Sequence, residues 1–153
     1  MRGFWRCVLV YSYSLLTFKL VSLLLNHRMY SMDKVHFFVE DVVFTPPQRV
    51  VIAPWIQRVI QREGYVLEYL NFIFCADEYL YQKNMQYLQH DTLTDVITFD
   101  HAEAPHTVAG DIYISVERVR ENAATYQCSF EQELHTVMIH GVLHLLGYQD
   151  KTP

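Results

Sequence analysis

At 153 residues the chain falls in the single-domain range and can bury about two-thirds of its extended surface. Its 51% hydrophobic content, with nine Phe, eleven Tyr and two Trp, excludes a disordered chain, and a formal net charge of −5 argues against a broad basic surface for nonspecific nucleic-acid binding. Cys7, Cys75 and Cys128 are an odd count without paired spacing, which speaks for a reducing, cytoplasmic compartment rather than a disulfide framework.

Residues 1–31 differ in kind from the rest. They carry Arg2, Arg6, Lys19 and Arg28 and no acid, while the remaining 122 residues hold all 17 carboxylates against eight basic residues, a formal charge of −9. Lys19 interrupts the apolar middle of this segment and no small-x-small cleavage site follows it. It also lacks an uninterrupted apolar run of about 20 residues, so no stable membrane association is expected. We expect an N-terminal extension, with a targeting segment as the alternative, ahead of a single domain spanning residues 32–153.

The domain opens with VHFFVED, a short β-favouring run, ended by Pro46 and Pro47. APWIQRVIQREG places Pro54 near a helix start and Gly64 at its end, with Trp55, Val59 and the neighbouring isoleucines available for a buried stripe. YVLEYLNFIFCA reads as strand and DEYLYQKNMQYLQH as helix, with Asp77 and Glu78 in its first turn. In DTLTDVITFD, Val96 to Phe99 favour a strand that is a candidate for the sheet's centre; HAEAPHTVA is a loop before Gly110 and the alternating DIYIS. Ser115 is placed to cap a helix running through Tyr126, and a last helix runs from about Phe130 to Leu146. The order strand, helix, strand, helix, two strands, two helices defines an α/β (α+β) domain, a small mixed sheet packed with helices and crossed by the last one.

That last helix carries the chemistry. In HTVMIHGVLHLLGYQDKTP, His140 and His144 lie one helical turn apart and project from one face, so they can reach one ion. Gly141 adds no side chain between them, and Gly147 can take a positive φ, stop the helix and turn the chain so that Asp150 joins the imidazoles. Three protein ligands and one open position make a catalytic zinc site, one Zn2+ per chain. Two histidines at this spacing also occur as ordinary half-buried residues of a core helix, and the apolar neighbours here fit that too. The following Gly and carboxylate favour the metal. His135, five positions before His140, is rotated about 140° around the helix and should point elsewhere.

HGVLHLLGY followed by Asp150 resembles the signature of the YbeY-type rRNA maturation factors, bacterial metal-dependent endoribonucleases, and NMQYLQHDTLTDVITF and AGDIYIS are similar to that family's other recurring stretches, in the same order. The resemblance runs from about residue 33 to the end. It implies a small mixed sheet with a long central helix and three histidine ligands, the first two mapping to His140 and His144 and the third to the position held here by Asp150. It also implies single-strand-specific cleavage in small-subunit rRNA 3′ maturation and ribosome quality control, with single-stranded ribosomal RNA, the small ribosomal subunit and ribosomal proteins as partners. The family places an arginine after the tyrosine where this chain has Leu88, and its pattern continues beyond Pro153, which raises the expectation of a truncated terminus.

With that arginine absent, Lys83, Arg118 and Arg120 are the remaining phosphate contacts to consider, although solvated helix charges explain them as well. Replacing a neutral imidazole by Asp150 lowers the formal charge of the ion and its ligands from +2 to +1, which predicts a weaker acid catalyst and a modest rate. No general base stands out: Glu131 and Glu133 read as helix N-terminal charges, and Asp95 and Asp111, at strand boundaries, as groups that could order a cleft. Cys75 and Cys128 read as small buried hydrophobes. Two alternatives remain at this level. A ribosome-associated RNA-binding scaffold without catalysis is suggested by the few basic residues, and a zinc metallopeptidase is opposed by Gly141, which stands where the HExxH class has glutamate.

Overall fold

The computed structural model describes residues 32–88 and 94–149. The N-terminal extension, Asp150 and the expected truncation therefore lie outside the described residues. A 3-10 turn at Met32–Lys34 leads into β1 (Val35–Glu40), α1 (Arg49–Arg62), β2 (Val66–Cys75), α2 (Asp77–Leu88), β3 (Val96–Asp100), β4 (Thr107–Ser115), α3 (Val116–Tyr126) and α4 (Phe130–Leu145). The sheet is four-stranded in the order β1-β2-β4-β3. β1, β2 and β4 run parallel, and β3 returns antiparallel to β4 as a hairpin. This is the mixed α/β sheet expected, with the expected element order. Each parallel neighbour is reached through a helical crossover, as parallel pairing requires.

Three local expectations are corrected. β3 lies at the edge of the sheet and β2 and β4 form its centre. The β-branched run of β3 pairs on one side only, and Ile97 is its one fully buried residue. β4 begins at Thr107, because Thr107 to Ala109 pair with the start of β2, and Val108 and Ala109 are buried there. α1 begins at Arg49, where the Gln48 carbonyl accepts from the Val51 and Ile52 amides, so Pro54 sits inside the helix. Pro54 leaves the Val50 carbonyl without its intrahelical donor, and that residue is open to water, being 57% exposed. The buried stripe of α1 is Ile52, Ala53, Ile56 and Ile60, with Trp55 and Val59 only partly buried beside it.

The main core fills one face of the sheet. Leu70, Phe72 and Phe74 of β2 and Ile112 and Ile114 of β4 meet Ile56 and Ile60 of α1 and Leu134, Val137, Met138 and Val142 of α4. The opposite face has a smaller cluster of Cys75, Leu80 and Ile97 beneath α2, bordered by Tyr79, Phe99 and Tyr113. Both starts in the C-terminal helical pair are capped by serine. The Ser115 hydroxyl accepts from the Arg118 amide, and Ser129 and Gln132 form a reciprocal capping box.

Candidate metal centre

α4 comes close to β4 and β3 because Gly141 has no side chain. A Cβ there would fall 2.6 Å from Ile112 Cγ2 and 3.3 Å from Val96 Cγ2. Gly141 therefore clears space for the sheet, and the flanking His140 and His144 project from another part of the helix surface. Their Nε2 atoms are 2.6 Å apart and the rings lie 4.5 Å centre to centre, tilted by 31°. His144 Nδ1 is 3.0 Å from the Tyr148 carbonyl oxygen. A carbonyl can only accept, so Nδ1 carries the proton and Nε2 presents a lone pair toward His140.

The turn that sets this tautomer is itself held. Gly147 adopts φ +91°, its amide donates to the His144 carbonyl and the Tyr148 amide donates to the Leu143 carbonyl, the paired bonds of a Schellman stop. Tyr65 donates its hydroxyl to the Leu146 carbonyl at 3.2 Å and Tyr148 donates its own to Glu63 at 2.7 Å, tying the turn to the end of α1 and the start of β2. The expected helix stop at Gly147 is present.

Two convergent imidazole nitrogens, one with its tautomer set by a backbone carbonyl, fit as the first two ligands of a divalent ion. A tetrahedral ion with bonds of about 2.0 Å separates two donors by about 3.3 Å, so the rings need to open by well under an ångström. Among the described residues no group of three His, Cys, Asp or Glu side chains gathers around one point. The third ligand of the expected set, Asp150, lies outside them. His135 points elsewhere, as its position on the helix implies. It packs on Trp55 with ring centres 5.8 Å apart, its Nε2 is buried without a hydrogen-bond partner among the described residues, and burial lowers its pKa.

The other singled-out residues divide. Arg118 forks onto Asp77, with Nη2 2.8 Å from Oδ2, and also reaches Glu121, so it fastens α3 to α2. Arg120 lies over the Phe130 ring. Asp95 accepts from Asn122 at 2.9 Å and joins the start of β3 to α3. Asp111 accepts from Asn71 at 2.8 Å and lies 3.3 Å from His101 Nε2. Glu131 and Glu133 both lie in the first turn of α4, as expected, but only Glu131 is exposed; Glu133 is buried at 2% exposure with the Cys128 thiol 3.9 Å away. Cys75 is a buried hydrophobe as expected, its thiol pKa pushed up to about 12 by burial, whereas Cys128 is only partly buried. Leu88 is the last residue of α2. Sequence reasoning missed the clamp of Tyr65, Tyr148 and Glu63, whose partners are far apart along the chain. It also missed the setting of Lys83, whose 5.5 Å approach to the Tyr87 ring was foreshadowed by Tyr79, Lys83 and Tyr87 recurring every four residues.

A mixed α/β sheet, with a histidine pair at the end of its longest helix and a clamped turn after it, defines the class of protein. Residues 46–153 match the model of the Endoribonuclease YbeY family. The chain belongs to that family, whose members are hydrolases acting on RNA. It is 60% identical over 118 residues to Endoribonuclease YbeY of Amoebophilus asiaticus, covering 77% of this chain and 80% of that protein. To the Cytophaga hutchinsonii protein of the same name it is 45% identical over 120 residues, 78% of this chain and 84% of that one. The solution structure of TM1509 from Thermotoga maritima is similar, with a TM-score of 0.52 at 30% identity and 75% of each chain covered. Among the described residues no helix is long and apolar enough to cross a membrane.

Proposed function

We propose that the protein is a zinc-dependent, single-strand-specific endoribonuclease of small-subunit rRNA 3′ maturation and ribosome quality control, with His140, His144 and Asp150 as the metal ligands. The observation that carries the reading is the convergence of the two Nε2 atoms at 2.6 Å, with the His144 tautomer set by Tyr148. Zinc held by these residues would supply Lewis acidity toward a phosphoryl oxygen and toward water. The chain's own work is positional. The Tyr148 carbonyl orients the His144 ring and raises its basicity, and Glu63 and Tyr65 keep that carbonyl in place. A peptidase reading lacks its carboxylate, since the residue after His140 is Gly141, turned against Ile112. The endoribonuclease reading places the catalytic domain in residues 32–153, the work in the cytoplasm, and the RNA strand on the small ribosomal subunit or its proteins.

The test combines metal and RNA. Purified protein should hold close to one zinc per chain and cut the single-stranded segments of an RNA carrying the small-subunit 3′ region. Chelation should abolish cleavage, zinc should restore it, and folded His144→Ala protein should be inactive. By zinc competition, Asp150→Asn should lose more than the roughly 10- to 100-fold typical of an outer-shell change, while Asp150→His should hold zinc at least as well as the parent. Cleavage indifferent to chelation and to His144→Ala would place the activity elsewhere. Zinc-loaded protein that binds ribosomes but cuts nothing would favour the scaffold.

A further inference from the structure

The sheet face opposite α4 carries a feature that the metal centre does not use. Tyr79, Lys83 and Tyr87 recur every four residues of α2 and so share one stripe of the helix. The Lys83 ammonium lies 5.6 Å from the Tyr79 ring centre and 5.5 Å from those of Tyr87 and Tyr113. The rings form a continuous set. Tyr79 and Tyr113 are nearly parallel at 21° and 6.3 Å, Phe99 meets Tyr113 edge-on at 5.6 Å, and Tyr87 meets Phe99 edge-on at 5.3 Å.

This set is the margin of the small cluster beneath α2, and Tyr87 is 54% exposed. Polar groups continue it across the sheet, because Asn71 and Phe99 are both register partners of Asp111, which hydrogen-bonds Asn71 and faces exposed His101. Packing alone accounts for Leu80 and Ile97. It does not account for a lysine drawn over three tyrosines: a cation–π contact is worth about 0.5–1 kcal/mol at an exposed site, and no ion pair links Lys83 to a carboxylate among the described residues.

We propose that this face is a stacking platform for unpaired bases of the RNA strand, with Tyr87 and Tyr113 taking base faces and Lys83 meeting a backbone phosphate. The inference rests on the RNA substrate proposed above and adds a binding surface on the other side of the sheet from the histidine pair. Charge complementarity and ring chemistry select the occupant. The exposed Tyr87 ring and the half-buried Tyr113 ring beside a cation suit a single strand, whose bases are free to stack, and do not suit a duplex, whose bases already stack on one another. The Asn71, Asp111 and His101 groups then offer donors and acceptors to base edges. Of the other cations, Arg118 is engaged by Asp77 and Glu121, Lys34 by the Leu67 carbonyl and Arg120 by Phe130, and Arg49, Arg58 and Arg62 belong to α1, which packs on the other face of the sheet.

The experiment uses the full chain with His144→Ala, which cannot cut, and measures the fluorescence anisotropy of a labelled ten-nucleotide adenylate strand. Tyr87→Ala and Lys83→Ala should each weaken binding on the order of tenfold, while Tyr87→Phe, which keeps the ring, stays near the parent. Zinc competition, run on the same substitutions with His144 intact, should not move, and the melting temperature should fall by no more than a few degrees. An abasic ten-mer should retain the Lys83 effect and lose the Tyr87 effect. Parent-like affinity in both alanine variants would overturn the platform, and if the unsubstituted protein still cuts RNA, the endoribonuclease reading stands without it. Weakened binding in a protein that never cuts would keep the platform and remove the nuclease.

Discussion

His135 and His140 sit on one helix five residues apart, and their surroundings send them to different chemistry. His135 is turned onto Trp55 with its Nε2 buried, and desolvation lowers its pKa against a smaller opposing effect from Glu131. The unfolded chain therefore takes up this proton at a higher pH than the native one. With the unfolded value near 6.5, the stability tied to neutral His135 is fully present above that pH and is lost as pH falls through the lower folded value. Urea unfolding of the parent should weaken from pH 7.5 to pH 5. His135→Phe, which keeps an aromatic ring against Trp55 and cannot titrate, should flatten that slope. Equal slopes in the two proteins would show that His135 is protonated as easily in the fold as out of it.

At the scale of the element, α4 is defined by what lies at its ends and by one residue in its middle. Alanine is worth about 1 kcal/mol more than glycine in a helix interior, so propensity alone says that Gly141→Ala stabilises. Packing says the opposite, because the new methyl falls 2.6 Å from Ile112 Cγ2, and overpacking of this kind costs about 1–3 kcal/mol. Ile112 is fully buried and has little room to yield. The variant should lose about 1 kcal/mol net, seen as a lower melting temperature, and should bind zinc less tightly because the helix backs away beside His140. A more stable Gly141→Ala protein would mean that the helix can shift freely on the sheet. The same contrast explains what could be read beforehand. Ser115, Ser129 and Gly147 act within one turn of their own positions, so the bounds of α3 and α4 and the stop before Tyr148 were legible. The edge position of β3 and the early start of β4 depend on strand partners well away along the chain, which local patterning does not encode. The histidine pair was legible for the same local reason, and the Tyr65–Glu63–Tyr148 clamp behind it was not.

For the whole molecule the governing quantity is charge. A chain of formal charge −5 must bind a polyanion, and within the described residues Arg118, Arg120 and Lys34 are committed to protein groups while Arg49, Arg58 and Arg62 lie on α1, across the sheet from the tyrosine platform. Few phosphates can then be neutralised at once. Single-strand affinity falls with a log–log salt slope of about 0.7 for each phosphate contact, so one contact costs on the order of threefold between 50 and 200 mM salt, and six cost roughly three hundredfold. Binding of a single-stranded ten-mer to His144→Ala protein should therefore change by less than about tenfold over that range, most of the affinity coming from stacking, which salt does not screen. A duplex of the same charge, with no free base faces, should bind far more weakly at both salt concentrations. A steep slope would locate phosphate contacts away from the tyrosine platform, and the acid-free segment with Arg2, Arg6, Lys19 and Arg28 is the first place to test. If deleting residues 1–31 restores the shallow slope, that segment is the electrostatic arm of the enzyme. If the steep slope survives the deletion, the domain itself neutralises several phosphates, with Arg49, Arg58 and Arg62 of α1 as the groups to substitute, and the stacking account of its affinity fails.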